Sequence, residues 1–204
     1  MRFSLSRAEH RQNLLRFVAY VSVGASTLRA FRGRKRRPKD IVFEFADRLV
    51  ADGQLTGAKS RTAFDRRLLH WIDRFPAGQV RLKSRSMGYG HKAKVVNLCL
   101  KTLVFTNGAL PSIQSRRLEK WLHVPIDSRV HGWLWDKLGR ELSSYRQGRF
   151  TRKNTQLKEL NHRRYWELQS FLCARAMGGG FLPIWIDFVA WPRRSGSKSE
   201  GDTT

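Results

Sequence analysis

Residues 86–108 read SMGYGHKAKVVNLCLKTLVFTNG, and the way this run folds decides the rest. Val95, Val96, Leu98, Cys99, Leu100, Leu103, Val104 and Phe105 fall nearly all round a 3.6-residue period, so the segment from about Lys92 to Asn107 predicts a central helix. Its polar exceptions, Lys94, Asn97 and Lys101, stand at i, i+3 and i+7 and share one stripe. Such a stripe is either the solvent edge of a half-buried helix or the lining of a cleft. Just upstream, Gly88 and Gly90 permit a tight turn, and the free amides of a helix N terminus suit an anionic oxygen such as a phosphate's.

Working outward, the chain reads as mainly α. Ser6 with Glu9 forms a capping box for a helix through Leu14, Leu15, Val18 and Val21 that Gly24 ends. Residues 29–39, RAFRGRKRRPK, are broken by Gly33 and Pro38 and read as an exposed basic arm, either a solvated linker or a contact to a polyanion backbone. Asp40 is expected to cap a short helix ending near Gly53, and Ser60 to cap another through Phe64, Leu68, Trp71 and Phe75 that stops at Pro76. A long amphipathic helix is expected from near Asn154 to Gly178. FLPIWIDFVAW (181–191) is ambiguous between a short strand and an extended packing segment, and 192–204 lacks apolar residues and reads as a disordered tail. The expected organisation is a single helical domain over 1–191, one bundle or two small lobes around a cleft.

Forty Lys and Arg face sixteen Asp and Glu, a formal net charge of +24. That excess opposes compaction unless a polyanion neutralises part of it, and counterion release makes nucleic acid the favoured partner over an acidic membrane surface. No signal-peptide-like apolar region opens the chain, and Arg16 interrupts the stretch from Leu14 to Val23, so a cytoplasmic protein without a membrane span is expected. Cys99 and Cys173 read as buried thiols in a reducing compartment; two cysteines are too few for a four-cysteine iron–sulfur cluster, and no Cys/His spacing suggests zinc. No cofactor is expected.

A second informative stretch is LHVPIDSRVHGWLW, residues 122–135. Pro125 restricts the residue before it, and Asp127 is placed to cap the helix that follows. Together, GYGHKAKVVNLCLK and VPIDSRV resemble the helix-hairpin-helix DNA glycosylases of the lysine-bearing type, most closely the 8-oxoguanine DNA glycosylases and their archaeal branch. The likeness covers residues 88 to about 135. It departs from the family in the turn RSMGYG, in the lack of an evident first helix before it, and in the thirty-three residues from Lys94 to Asp127, which require an insertion across NGALPSIQSRRLEKW.

The resemblance implies a mainly α, helix-hairpin-helix glycosylase-like bundle that flips a modified base out of duplex DNA and excises it, with an associated lyase step. Lys94 is the implied nucleophile, with Lys92, nearer the turn, and Lys101 as alternatives; Asp127 is the implied carboxylate. Gly88, Gly90, His91, Lys92, Asn97 and Arg129, with Arg34, Lys35, Arg36 and Arg37 of the arm, are the expected DNA contacts of a monomer. Two other readings stay open: an anti-viral glycosylase acting on modified cytosines of phage DNA, and a non-catalytic DNA- or RNA-binding protein. A nuclease ranks lower, because no clustered carboxylates suggest paired magnesium ions.

Overall fold

Apolar stripes at helical spacing become helices that bury those stripes against one another. The computed structural model describes residues 7–24, 31–33, 36–82, 87–146 and 148–190. Its elements are α1 (Arg7–Gly24), β1 (Phe31–Gly33), α2 (Pro38–Asp52), α3 (Arg61–Asp73), a turn of 3-10 helix (Ala77–Gln79), β2 (Val80–Leu82), α4 (Tyr89–Phe105), α5 (Ser112–Glu119), α6 (Ser128–Ser144), α7 (His162–Gly178) and α8 (Trp185–Val189). The protein is mainly helical. β1 and β2 form one antiparallel ribbon in the register Phe31↔Leu82, Arg32↔Arg81, Gly33↔Val80, too short to leave an alternation in the sequence.

The local signals act as physics requires in several places. Ser60 Oγ accepts the Ala63 amide at the start of α3, and Gly53, at φ +64°, closes α2 in the left-handed region that a side chain would resist. Other expectations need correction. α2 begins at Pro38 with Arg37 as its N-cap, because proline's fixed φ suits the first helical position; Asp40 lies in the first turn and pairs with Arg37. α7 starts at His162, where Asn161 Oδ1 takes the Arg164 amide; residues 151–159 are instead a series of turns tied by Thr151, Asn154 and Thr155. Within FLPIWIDFVAW, Trp185–Val189 form the short helix α8 rather than a strand or an extended segment, which buries Ile186 and Asp187. Cys173 is half-buried rather than buried, with its thiol 3.8 Å from Met177 Sδ, whereas Cys99 is buried as expected. Ser6 and residues 191–204 lie outside the described residues. Among those described, no helix is long and apolar enough to cross a membrane.

Two apolar clusters form. One gathers α1 to α5 around Phe45, Phe64, Leu68 and Leu100, and also takes in Tyr165; the other gathers residues 124–190 around Leu134, Leu142, Leu168 and Leu172. α4 belongs to the first, while Ile126 and Val130, on either side of Asp127, belong to the second. The seam between these clusters is where the charged residues of the sequence motif meet.

Candidate active site

Gly88 is the N-cap of α4, and Gly90 lies in its first turn. The Gly90 amide donates to Leu160 O at 3.1 Å, and a Cβ built at Gly90 would stand 2.2 Å from Leu157 O. Glycine is therefore needed for close approach of the 157–160 segment. The Gly90 amide, expected to hold a phosphate, is occupied from within, because this segment seals the helix start. Among the described residues, no helix runs directly into the Gly88 turn: α3 ends at Asp73, and a 3-10 turn and β2 follow it.

One turn further on, Lys94 enters the interior. Its side chain is 2% exposed and its Nζ lies 3.7 Å from Asp127 Oδ2, the Asp127 side chain being 5% exposed. Two separate features hold Asp127. Its Oδ1 accepts the amides of Arg129 and Val130, both at 2.9 Å, which caps α6 and leaves Oδ2 turned to the lysine. Upstream, the buried Gln169 side chain accepts the Val124 amide at 2.9 Å and donates to Val124 O at 2.8 Å, pinning the 123–127 segment as a neighbouring strand would.

The Lys94 amine has no hydrogen-bond partner. Burial disfavours its ammonium form and, although Asp127 and Asp187 pull the other way, its pKa falls from the ordinary 10.5 to about 8. Asp187 joins the pair from α8. Its carboxylate is ion-paired to Lys101 and also feels Asp127 and Lys94, and burial raises its pKa despite Lys101. The Lys101 Nζ lies 4.0 Å from the centre of the Phe188 ring. Four charged side chains, two of each sign, thus share one poorly hydrated region. The stripe of Lys94, Asn97 and Lys101 is neither a solvent edge nor the wall of an open cleft: the 123–127 segment, α7 and α8 supply its partners.

Asn97 leads into a buried chain of hydrogen bonds. Its Nδ2 donates to the Tyr165 hydroxyl at 2.8 Å; that hydroxyl lies 2.8 Å from His123 Nδ1, and His123 Nε2 lies 3.1 Å from Asp65 Oδ1. Arg61 Nε completes the chain at 2.9 Å from both Asp65 oxygens. Asp65 can only accept, so His123 Nε2 carries the proton; burial lowers the His123 pKa and keeps the ring neutral, so Nδ1 accepts the Tyr165 hydroxyl. The donation runs one way, from Asn97 to Asp65, and fixes the amide so that Asn97 Oδ1 is left buried without a partner.

The other motif residues are dispersed. Lys92 is half-buried with its amine 5.8 Å from the centre of the Tyr89 ring, away from Lys94. His91 Nδ1 is buried without a partner, and burial, then Lys94, lowers its pKa. Arg129 is exposed at the start of α6. Arg36 is paired with Glu44 and Arg37 with Asp40, so these arm residues are partly neutralised; Arg34 and Lys35 lie outside the described residues. Asp187, His123, Tyr165, Asp65 and Gln169 join the site without belonging to either motif. Only Asp187 left a signal, as a lone acid in the apolar run FLPIWIDFVAW. Among the described residues, no group of three or more His, Cys, Asp or Glu is placed to hold a metal ion. No protein-family model, curated protein or solved structure matches this chain.

Proposed function

We propose that the chain is a DNA N-glycosylase with an associated lyase step, acting on a modified base turned out of the duplex, with Lys94 as the amine and Asp127 as the carboxylate. The observation that carries this reading is the meeting, at 3.7 Å, of an amine with no hydrogen-bond partner and a carboxylate oriented by two backbone amides. A pKa of about 8 gives that amine an appreciable neutral, nucleophilic fraction near neutral pH. The part of the helix-hairpin-helix glycosylase likeness carried into this proposal is the glycine-led helix α4 together with the Asp127 cap of α6.

In the reaction, neutral Lys94 attacks the sugar C1′ while the C1′–N bond breaks, and the base leaves with the bonding electrons and takes up a proton. The Asp127 carboxylate stabilises the positive charge that builds on the sugar. The sugar ring opens as the amine gives one proton to the ring oxygen and the other to the departing base, leaving an imine; loss of a C2′ proton to water with cleavage of the C3′–O bond then releases the 3′ phosphate, and hydrolysis of the imine frees the lysine. Because Lys94 is 2% exposed, a flipped nucleotide reaches it only after the packing around it opens. The base is of the oxidised-guanine class by resemblance to the family, or a modified cytosine of viral DNA in the alternative defence role.

The test is reductive trapping. Borohydride should link the protein covalently to DNA carrying an abasic site or the correct modified base, and Lys94→Ala should abolish the adduct. Trapping that survives Lys94→Ala moves the role to Lys92 or Lys101. One observation favours a non-catalytic DNA- or RNA-binding protein: a closed Lys–Asp pair also serves as a fixed internal contact. That reading requires no base release from any of the modified DNAs offered.

A further inference from the structure

A second group of charges lies away from Lys94. A cavity of about 390 Å³ is lined by Arg149, Asn161, Arg163, Arg164 and Glu167, at the junction of the 145–161 connection with the start of α7. Glu167 is its fixed point. Its side chain is 7% exposed, and its Oε1 lies 3.1 Å from Arg163 Nε, 3.5 Å from Arg146 and 3.8 Å from Arg149. One carboxylate therefore aligns three guanidinium groups and neutralises one. Arg164 adds a fourth, held by donation to Glu159 O at 3.3 Å. Like charges converge on a concave surface at a cost in repulsion, unless an anion joins them when the protein works.

We infer that this cavity is a phosphate-binding site for a polynucleotide backbone, with Arg149, positioned by Glu167, and Arg164, held by Glu159 O, as its principal donors. The guanidinium fork pairs with two phosphate oxygens at once, and Asn161 lies at the amino end of a seventeen-residue helix whose dipole favours the same charge. A polymer fits better than a lone ion. From 145 to 167 the sequence carries seven Lys and Arg against two Glu, and Arg146, Arg149 and Arg163 keep half or more of their side-chain surface open to solvent. The site is tied to the start of the helix that carries Lys94, since Leu160, next to Asn161, takes the amide of Gly90 in its first turn. The inference rests on the nucleic-acid part of that proposal and not on any reaction at Lys94.

The test is therefore made with unmodified duplex DNA, which requires no chemistry, and base release or trapping is scored separately. Binding is followed by fluorescence anisotropy across a salt series for the wild-type chain, the pair Arg149→Gln/Arg164→Gln, and a control pair of equal charge loss, Lys59→Gln/Lys120→Gln, at exposed positions elsewhere. The cavity pair should lose roughly tenfold more affinity than the control, and its log K against log salt slope should be shallower by about 0.9 for each phosphate it no longer neutralises. Equal losses in the two pairs would overturn the site. A rise in Tm with inorganic phosphate that the cavity pair abolishes, with DNA affinity lowered no more than in the control, would assign the cavity to free phosphate and overturn it as well. If the cavity pair melts early, Arg149→Gln against Lys59→Gln carries the same comparison.

Discussion

At the scale of single residues, Lys94 and Asp127 each combine two demands that substitution can separate. Asn caps helices about as well as Asp, so Asp127→Asn should keep the two amide contacts of α6 and, in chemical denaturation, cost about 3 kcal/mol through loss of the buried counter-charge to Lys94. It should also lose base release and trapping, because a neutral amide cannot stabilise a positive sugar; retained activity would remove Asp127 from the chemistry. Lys94 has a lowered folded pKa, so between about 8 and 10.5 the unfolded chain binds the extra proton and stability rises with pH through that window. By the linkage relation the rise attributable to this amine is about 3 kcal/mol, and it should be missing from Lys94→Met when both proteins are unfolded in denaturant at neutral pH and again near pH 10. Parallel curves for the two proteins would contradict the buried, partly neutral amine.

At the scale of elements, the site depends on the packing that sets α4 against its neighbours. Gly90→Ala drives a Cβ onto the Leu157 carbonyl, and relief of that overlap pulls the 157–160 segment away from α4. The expected loss is about 1–3 kcal/mol, with weaker trapping, measured by denaturation and by adduct yield; an unchanged midpoint would mean that the approach is not close. Tyr165→Phe removes the central link between Asn97 and His123 without changing the shape of the core. It leaves two buried polar groups unpaired and should cost about 1–3 kcal/mol. The aromatic packing of Tyr165 against Tyr89 and His123 survives the change, so any loss reads out the hydroxyl alone.

At the scale of the whole molecule, the formal charge of +24 makes binding to any polyanion strongly dependent on salt. A protein making six to ten phosphate contacts loses about 10³–10⁵ in affinity between 50 and 200 mM salt, and a fall of this order is the expectation for duplex DNA. A fall of less than tenfold would show that the excess charge is not directed at the backbone. The same charge opposes folding through self-repulsion, so added DNA should raise Tm, and more at low salt than at high.

The sequence by itself determined the helical class, the central position of α4, the caps at Ser60 and Asp127 and the closure of α2 at Gly53, because each follows from periodicity or from hydrogen bonds made within a few residues. Lys94 and Asp127 were singled out as a pair by the resemblance to the lysine-bearing glycosylases, since no local rule brings residues so far apart into contact. Only the tertiary structure decided that they meet at 3.7 Å on the seam between two apolar clusters, that Asp187, paired with Lys101, acts on them electrostatically, and that the Gly90 amide is taken by Leu160. The buried chain through Tyr165, His123 and Asp65 was equally out of reach, since its members stand on separate segments and each alone resembles an ordinary core or surface residue. The division has one physical reason: hydrophobic periodicity and capping are short-range and repeat along the chain, whereas the desolvation that lowers the pKa of an amine depends on which distant segments pack around it.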